Sequence, residues 1–193
     1  MLYFTADSHF CDEVTLKRAY RPFDSIEEMD NTIINNWNRI AKKDDIIYHL
    51  GDFTSYTPYI KNIYENAFKK VKEINAKVIL ISGNNETRIM NEVFEGSFDR
   101  FKKYLLDLGF YDVIKDSLYL NLNNNKIFLN HYPLAADKFC FNLFGHIHNL
   151  SFAKKFGINV GVDCNHYRLF SEANVLKFLS DIKNNKYDEN VFC

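Results

Sequence analysis

Seven side chains spread along the chain have the chemistry of metal ligands. They are two carboxylates, one amide and four imidazoles, carried by Asp7, His9, Asp52, Asn84, His131, His146 and His148. Oxygen and nitrogen donors without thiolates suit Mn²⁺, Fe, Zn²⁺, Co²⁺ or Ni²⁺ better than Ca²⁺. A carboxylate can also bridge two ions about 3.5–4 Å apart, and such a pair holds the attacking and leaving oxygens of an in-line displacement. The residue types therefore predict a site for divalent metal ions.

The local spacing of these residues supports that prediction. Asp7-Ser8-His9 and His146-Ile147-His148 each carry two ligands two residues apart, and we expect both segments to be extended, so that alternate side chains reach one centre. Glycines directly precede Asp52, Asn84 and His146, where they permit tight turns and a close approach of the backbone.

Predicted β-strands precede each of these groups. Continuous apolar, β-branched and aromatic character predicts strands buried on both faces at residues 2–6, 46–50 and 78–81. His131 and His146 follow two shorter predicted strands, at residues 126–129 and 142–144. Open α/β sheets place their ligand crevice at the carboxyl ends of strands, so we expect the seven side chains to meet there.

Helices separate the first three strands. Ser25 and Glu28 form a predicted capping box. The helix that follows has apolar residues at spacings of three and four, namely Ile26, Met29, Ile33, Trp37 and Ile40. A second helix is predicted at residues 59–74, and strand–helix–strand order predicts right-handed parallel crossovers.

The second half of the chain has shorter elements. Strands are predicted at residues 118–120 and 158–160 in addition to the two before His131 and His146, and a final helix at 172–182. The asparagine-rich segment 121–125 predicts a hairpin turn, because Asn tolerates positive φ. Two β-rich halves with helices predict a layered α/β sandwich.

Length and composition describe one domain across residues 1–193. The net charge of −1 gives no overall field toward nucleic acid or anionic membrane. The cysteines form no CxxC pair, which argues against a structural zinc site and favours reduced thiols in a cytosol. No apolar run approaches the roughly 20 residues that span a bilayer, and no signal peptide is recognisable, so we expect a cytoplasmic protein without membrane association.

Five ordered motifs then give a specific resemblance. Asp7-Ser8-His9, Gly51-Asp52, Gly83-Asn84, His131 and Gly145-His146-Ile147-His148 resemble the motifs of calcineurin-like metallophosphoesterases. Segments 21–23, 49–52 and 131–133 resemble a small single-domain prokaryotic branch of that family. The resemblance implies a four-layer α/β/β/α sandwich of two mixed sheets flanked by helices.

The resemblance also implies ligand roles. It assigns Asp7, His9 and His148 to one ion and Asn84, His131 and His146 to the other, with Asp52 bridging. The implied activity is hydrolysis of phosphate mono- or diesters by hydroxide that two divalent ions activate, with Mn²⁺ favoured.

One position departs from the family pattern. The third motif usually reads Gly-Asn-His-Asp/Glu, and Asn85 replaces its histidine, which in relatives contacts phosphate and is thought to protonate the leaving oxygen. An amide cannot release a proton. Either the substrate has a good leaving group, as aryl esters and anhydrides do, or another acid serves, for which His49, His166 and Glu86 are candidates. We count Asp52, Asn85, Arg88 and His49 as candidate catalytic residues. Arg88, Arg18 and Arg21 could contact substrate phosphate, although a solvated helix face explains each of them equally well.

Three functions are compatible with the sequence. The first is a phosphoesterase acting on a small phosphorylated substrate. The second is a nuclease or phosphodiesterase acting on nucleic-acid ends, which the near-neutral charge does not favour. The third is a non-catalytic metal-binding scaffold, although a degraded ligand set would be expected for it. The oligomeric state cannot be derived from the sequence.

Overall fold

Two five-stranded sheets form the framework of the protein. The computed structural model describes residues 1–58, 63–133, 140–154, 156–184 and 186. The first sheet contains β1 (Leu2–Thr5), β2 (Ile46–His49), β3 (Lys77–Ile81), β4 (Asp112–Ile114) and β10 (Phe170–Ser171), in the order β10-β1-β2-β3-β4. Strands β1 to β4 are parallel and β10 is antiparallel to β1. The predicted parallel arrangement of the first three strands is therefore confirmed.

The second sheet is also mixed. It contains β5 (Ser117–Leu122), β6 (Asn125–Asn130), β7 (Phe141–Phe144), β8 (Ala153–Lys154) and β9 (Gly157–Asn159), in the order β5-β6-β7-β9-β8. The pairs β6–β7 and β7–β9 are parallel, whereas the outer pairs are antiparallel. Asn123 and Asn124 connect β5 to β6 with φ of 46° and 63°, which confirms the predicted asparagine turn.

Six helices lie among the described residues. They are α1 (Glu13–Arg18), α2 (Ile26–Ile40), α3 (Ile63–Lys69), α4 (Asn84–Val93), α5 (Phe98–Leu108) and α6 (Glu172–Lys183). The helix predicted at 59–74 corresponds to α3 followed by a 3-10 turn at Lys70–Glu73, while residues 59–62 lie outside the described part.

The cap of α2 differs slightly from the prediction. The Ser25 side chain accepts a hydrogen bond from the Glu28 backbone N–H, as expected. The Glu28 carboxylate, however, accepts from the N–H of Asp24 rather than from that of Ser25.

Apolar clusters lie on both faces of the first sheet. On one face Tyr3, Ile47 and Val78 pack with Trp37 of α2 and with residues of α3 to α5. On the other face Phe4, Tyr48, Ile79 and their neighbours pack against the second sheet, and Val175 and Leu179 of α6 join this cluster. The alternation follows from the two-residue period of a strand. The predicted fold class, two mixed sheets flanked by helices, is confirmed.

The described helices include none that is both long and apolar enough to cross a bilayer. No disulfide joins the cysteines in the described residues.

Candidate metal centre

The carboxyl ends of β1 and β2 form the floor of the site. Asp7 donates its backbone N–H to the carbonyl of Gly51 at 3.0 Å, and His9 donates to that of Asp52 at 3.1 Å. These bonds continue the strand pairing into the two loops. The first two motifs therefore lie side by side, as their position after adjacent parallel strands predicts.

Five of the seven predicted ligands have a left-handed backbone. Asp7, His9, Asp52, His146 and His148 have φ between 48° and 72°. The expectation that Asp7-Ser8-His9 and His146-Ile147-His148 are extended is therefore wrong. Backbone turns rather than a pleat bring the alternate side chains together. Non-glycine residues adopt this conformation only where surrounding contacts enforce it, and such residues cluster at functional sites.

A first group of donors consists of Asp7, His9 and His148. One ligand atom from each lies within 4.8 Å of those of the other two. Asp7 is fully buried, and its carboxylate accepts the backbone N–H of His146 at 2.8 Å to one oxygen and 3.0 Å to the other. That bond connects the first motif directly to the last.

A second group consists of Asp52, His131 and His146, again within 4.8 Å of one another. Asn84 belongs to it as well, because its Oδ1 lies 3.0 Å from His131 Nε2 and 2.9 Å from His146 Nδ1. Asn84 is the first residue of α4, which positions its amide at the end of β3.

Asp52 lies between the two groups. Its Oδ2 is 3.7 Å from His9 Nε2 and 3.6 Å from His131 Nε2. One carboxylate oxygen is thus about equally distant from a histidine of each group, which is the geometry that a bridging ligand would need.

Hydrogen bonds orient three of the imidazoles. His131 Nδ1 contacts the carbonyl of Leu50 at 2.8 Å. His148 Nδ1 contacts the Asp163 carboxylate at 2.9 Å. His9 Nδ1 contacts the Ser55 hydroxyl at 2.7 Å. A hydrogen on Nδ1 leaves Nε2 with a lone pair for a cation. His9 Nε2 is buried without a hydrogen-bond partner among the described residues. A metal ion bound to this nitrogen would satisfy its lone pair. The residues present therefore fit divalent ions.

Electrostatics favour the same conclusion. Burial, together with the negative charge of Asp52, raises the pKa of Asp7 well above its ordinary value. Burial lowers the pKa of both His9 and His131, which keeps the imidazoles in their neutral, metal-binding form. The centre therefore combines two close buried carboxylates with neutral imidazoles, and bound cations would offset the negative charge of the carboxylates.

Asn85 contacts the Asp52 carboxylate. Its Nδ2 donates to Asp52 Oδ2 at 2.7 Å, and its Oδ1 accepts the backbone N–H of Tyr56 at 3.1 Å. The side chain is buried and both polar ends are occupied. Asn85 is therefore placed to orient Asp52.

Glu86 cannot act as the replacement acid. Its side chain is fully buried and accepts three backbone N–H bonds, from Asp52 and Gly83 at 2.8 Å and from Phe53 at 2.9 Å. Burial and the charge of Asp52 raise the pKa of Glu86, but the carboxylate is enclosed by the loops it holds together. Its role is to join the second and third motifs.

The structure also corrects the assignment of His49 as a catalytic residue. His49 lies on the helix-facing side of β2, fully buried, with ring centroids 5.1 Å from Phe53 and 6.0 Å from Trp37. Its Nε2 pairs with the Ser8 hydroxyl at 2.9 Å. Because it is below the loops and closed off from the cleft, His49 is a core residue. His166 is exposed and does not line the cleft.

A polar cleft of about 260 Å³ lies over both donor groups. Arg18 and Arg88 line it, together with Tyr56 and Thr57. Both arginines are exposed, so each can reach an anion in the cleft. Arg21 is different, since it is buried and donates to the carbonyls of Ser8 and Asp7, so the hypothesis that it contacts substrate is wrong.

Sequence reasoning missed three supporting residues, Asp12, Ser55 and Asp163, and it considered Glu86 only as a candidate acid. Ser55 accepts from His9 and donates to Asp12 Oδ2, and Asp12 also caps α1. The position of Glu86 at the third residue of α4 could have predicted its capping role. For Asp163, only its location after a predicted strand was informative, because its contacts are distant in sequence.

Comparisons with known proteins agree with this geometry. A model of the calcineurin-like phosphoesterase family matches residues 2–192. The uncharacterized protein MJ1445 of Methanocaldococcus jannaschii is 34% identical over 85 residues, which is 44% of this chain and 46% of that protein, so the match spans less than half of the relative's length.

Two solved structures superpose on this chain with different scores. The protein of unknown function AQ665 from Aquifex aeolicus superposes with a TM-score of 0.66 at 23% identity, covering 92% of this chain and 98% of that one. A novel archaeal phosphodiesterase superposes with a TM-score of 0.49 at 19% identity, covering 86% of each chain.

Proposed function

Because this chain belongs to the calcineurin-like phosphoesterase family, we propose that it is a metal-dependent hydrolase of phosphate mono- or diesters. The observation that carries the proposal is the position of Asp52 Oδ2, at 3.7 Å from a histidine of one donor group and 3.6 Å from a histidine of the other. That arrangement favours two cations over one.

The metal-binding roles follow from the two groups. Asp7, His9 and His148 would hold one divalent ion, Asn84, His131 and His146 the other, and Asp52 would bridge them. When bound, such ions, of which Mn²⁺ fits this donor set well, lower the pKa of a shared water and offset the charge of phosphoryl oxygens.

Other groups would bind and orient the substrate. Arg18 and Arg88 offer guanidinium groups to phosphoryl oxygens from the rim of the cleft. The amino-terminal end of α4 also faces the site and favours negative charge there. A cleft of about 260 Å³ suits a small phosphorylated substrate better than an extended polynucleotide.

Protonation of the leaving group sets the substrate preference. Neither Asn85 nor the enclosed His49 and Glu86 can deliver a proton into the cleft. We therefore expect the enzyme to favour esters whose leaving group is stable as an anion, such as aryl esters or anhydrides, over alkyl phosphates.

The test is a substrate screen with metal-reconstituted protein. Chelator-treated protein would be loaded with Mn²⁺, Zn²⁺, Co²⁺ or Ni²⁺ and assayed on p-nitrophenyl phosphate, its bis ester, cyclic nucleotides and short oligonucleotides. We expect hydrolysis that Asp52→Asn abolishes and that Asp107→Asn, an exposed carboxylate of α5, leaves unchanged.

Two outcomes would overturn the proposal. Metal binding without hydrolysis of any compound in the screen would support the scaffold function. Preferential cleavage of oligonucleotides, with affinity falling steeply as salt is raised, would support the nuclease function.

A further inference from the structure

Arg21 and Asp163 form a buried ion pair behind the first donor group. Arg21 Nε and Nη2 donate to the two oxygens of Asp163 at 2.8 and 2.9 Å, which is a two-point fork. The side chains are 0% and 4% exposed. Desolvation of so enclosed a pair is costly, so the pair by itself is weak evidence of a stabilising role.

Both partners also contact the first donor group. Asp163 Oδ2 lies 2.9 Å from Nδ1 of His148. Arg21 donates from Nη2 to the carbonyl of Asp7 at 2.6 Å and from Nη1 to that of Ser8 at 2.8 Å. The pair therefore reaches both the last and the first motif.

A carboxylate in this position has two effects on a metal-binding histidine. It keeps the hydrogen on Nδ1, which leaves Nε2 available, and it makes the imidazole a stronger donor. The carbonyl bonds from Arg21 also hold the left-handed turn at Asp7, whose φ is 56°. The two contacts fix two of the three ligands in the first group.

We propose that Arg21 and Asp163 are positioning residues that set the affinity of the metal position formed by Asp7, His9 and His148. The proposal rests on the proposed metal-dependent function. It goes beyond that function because it assigns a role to two residues that would touch neither metal nor substrate.

The surroundings of Asp163 support this role. Its carboxylate faces the Arg21 guanidinium on one side and His148 Nδ1 on the other. In the second group, His131 Nδ1 contacts the neutral carbonyl of Leu50 at 2.8 Å, and the Asp7 carboxylate lies farther from it, at 4.0 Å. The effect of the pair should therefore be confined to one of two metal positions.

The experiment is Mn²⁺ titration of the chelator-treated full chain by calorimetry, with electron paramagnetic resonance to follow the coupled ion pair. In Asp163→Asn we expect one binding step to weaken by about 10- to 100-fold while the other is retained. Asp181→Asn is the matched control, because Asp181 is also a buried carboxylate that pairs with basic side chains, Lys177 and Lys186, on α6 and the segment after it. That control should bind both ions as the unmodified protein does.

A purely structural ion pair would give a different result. Asp163→Asn would then unfold at a lower temperature but bind both ions with unchanged affinity, which would overturn the proposal. If Asp163→Asn fails to fold, Arg21→Lys, which keeps the charge but loses the fork, must weaken the same step, and unchanged binding would again overturn it.

Failure of the proposed function can be distinguished from failure of the positioning role. Unmodified protein that binds two ions yet hydrolyses no phosphate ester would contradict the activity and leave the positioning role intact.

Discussion

A methyl group at Gly145 should disrupt the first metal position through Asp7. A Cβ built at Gly145 would lie 2.5 Å from Asp7 Oδ2 and 2.5 Å from the Cβ of Ala6. Both distances are about 1 Å shorter than the roughly 3.5 Å at which nonbonded heavy atoms are comfortable. Ala6 is fully buried, and its backbone pairs with that of Gly161 in a β-bridge, so Ala6 is held in place. The Asp7 carboxylate must therefore move.

The expected magnitude follows from the contacts that the movement breaks. Overpacking of a buried site costs about 1–3 kcal/mol. Loss of the bond from the His146 N–H to the Asp7 carboxylate, which would be charged when a cation is bound, costs about 1.5–3 kcal/mol more. At about 2–4 °C per kcal/mol for a chain of this size, the unfolding temperature of Gly145→Ala should fall by roughly 10 °C.

Metal binding should be affected more strongly than folding. A ligand displaced by about 1 Å is far outside the tolerance of roughly 0.2 Å for metal–ligand distances. We therefore expect Gly145→Ala to bind one ion per chain at Mn²⁺ concentrations that give two in the unmodified protein, measured by elemental analysis and by thermal unfolding with and without chelator.

The control is Gly96→Ala, in the turn between α4 and α5. Within the part of the chain that the structure describes, a Cβ there meets Asn91 Oδ1 at a comfortable 3.7 Å, although the φ of 74° costs about 1–2 kcal/mol of backbone strain. It should lower the unfolding temperature slightly and leave metal binding intact. Binding of two ions by Gly145→Ala, with the affinity of the unmodified protein, would contradict this prediction.

Three further predictions concern the cleft and the core. Asn85→His should raise hydrolysis of alkyl phosphates relative to p-nitrophenyl esters by about 10-fold or more, because a histidine can release a proton, and equal effects on both substrates would count against the missing-acid account. Arg88→Ala should raise KM by about 10-fold with little change in kcat, and an unchanged KM in steady-state assays would remove Arg88 from the substrate site. Burial raises the pKa of Asp30 to about 6, above its unfolded value, so this group stabilises the fold at low pH and that contribution is lost as the pH rises through about 6. Asp30→Asn should therefore have a free energy of unfolding about 2–3 kcal/mol above that of the unmodified protein at pH 8, and only about 0.5 kcal/mol above it at pH 4. Chemical denaturation at both pH values measures the difference, and a difference that does not change with pH would contradict this prediction.

Much of the fold could be predicted from the sequence because its strands are strongly patterned. The apolar runs that gave β1, β2 and β3 are buried on both faces, and their order with the intervening helices determines a parallel sheet. The short strands β4, β8 and β10 were not predicted, because each is defined by its neighbours rather than by a period of its own. The equally short β9 overlaps the apolar run predicted at 158–160.

The sequence predicted the candidate ligand residues of the site better than it predicted their backbone geometry. Chemistry and position after strands identified residues that the structure brings within 4.8 Å of one another in two groups. The left-handed backbone of Asp7 and His9 was not predictable, because long-range bonds to Gly51 and Asp52 enforce it. The role of Arg21 was missed for the same reason, since its partner Asp163 is 142 positions away.

The most direct test of the central claim is an anomalous diffraction map from crystals grown with Mn²⁺. Two peaks should appear on either side of Asp52, about 3.5–4 Å apart, one next to His9 and His148 and the other next to His131 and His146. A single peak, or ions bound only elsewhere on the protein, would contradict the assignment of Asp52 as a bridging ligand.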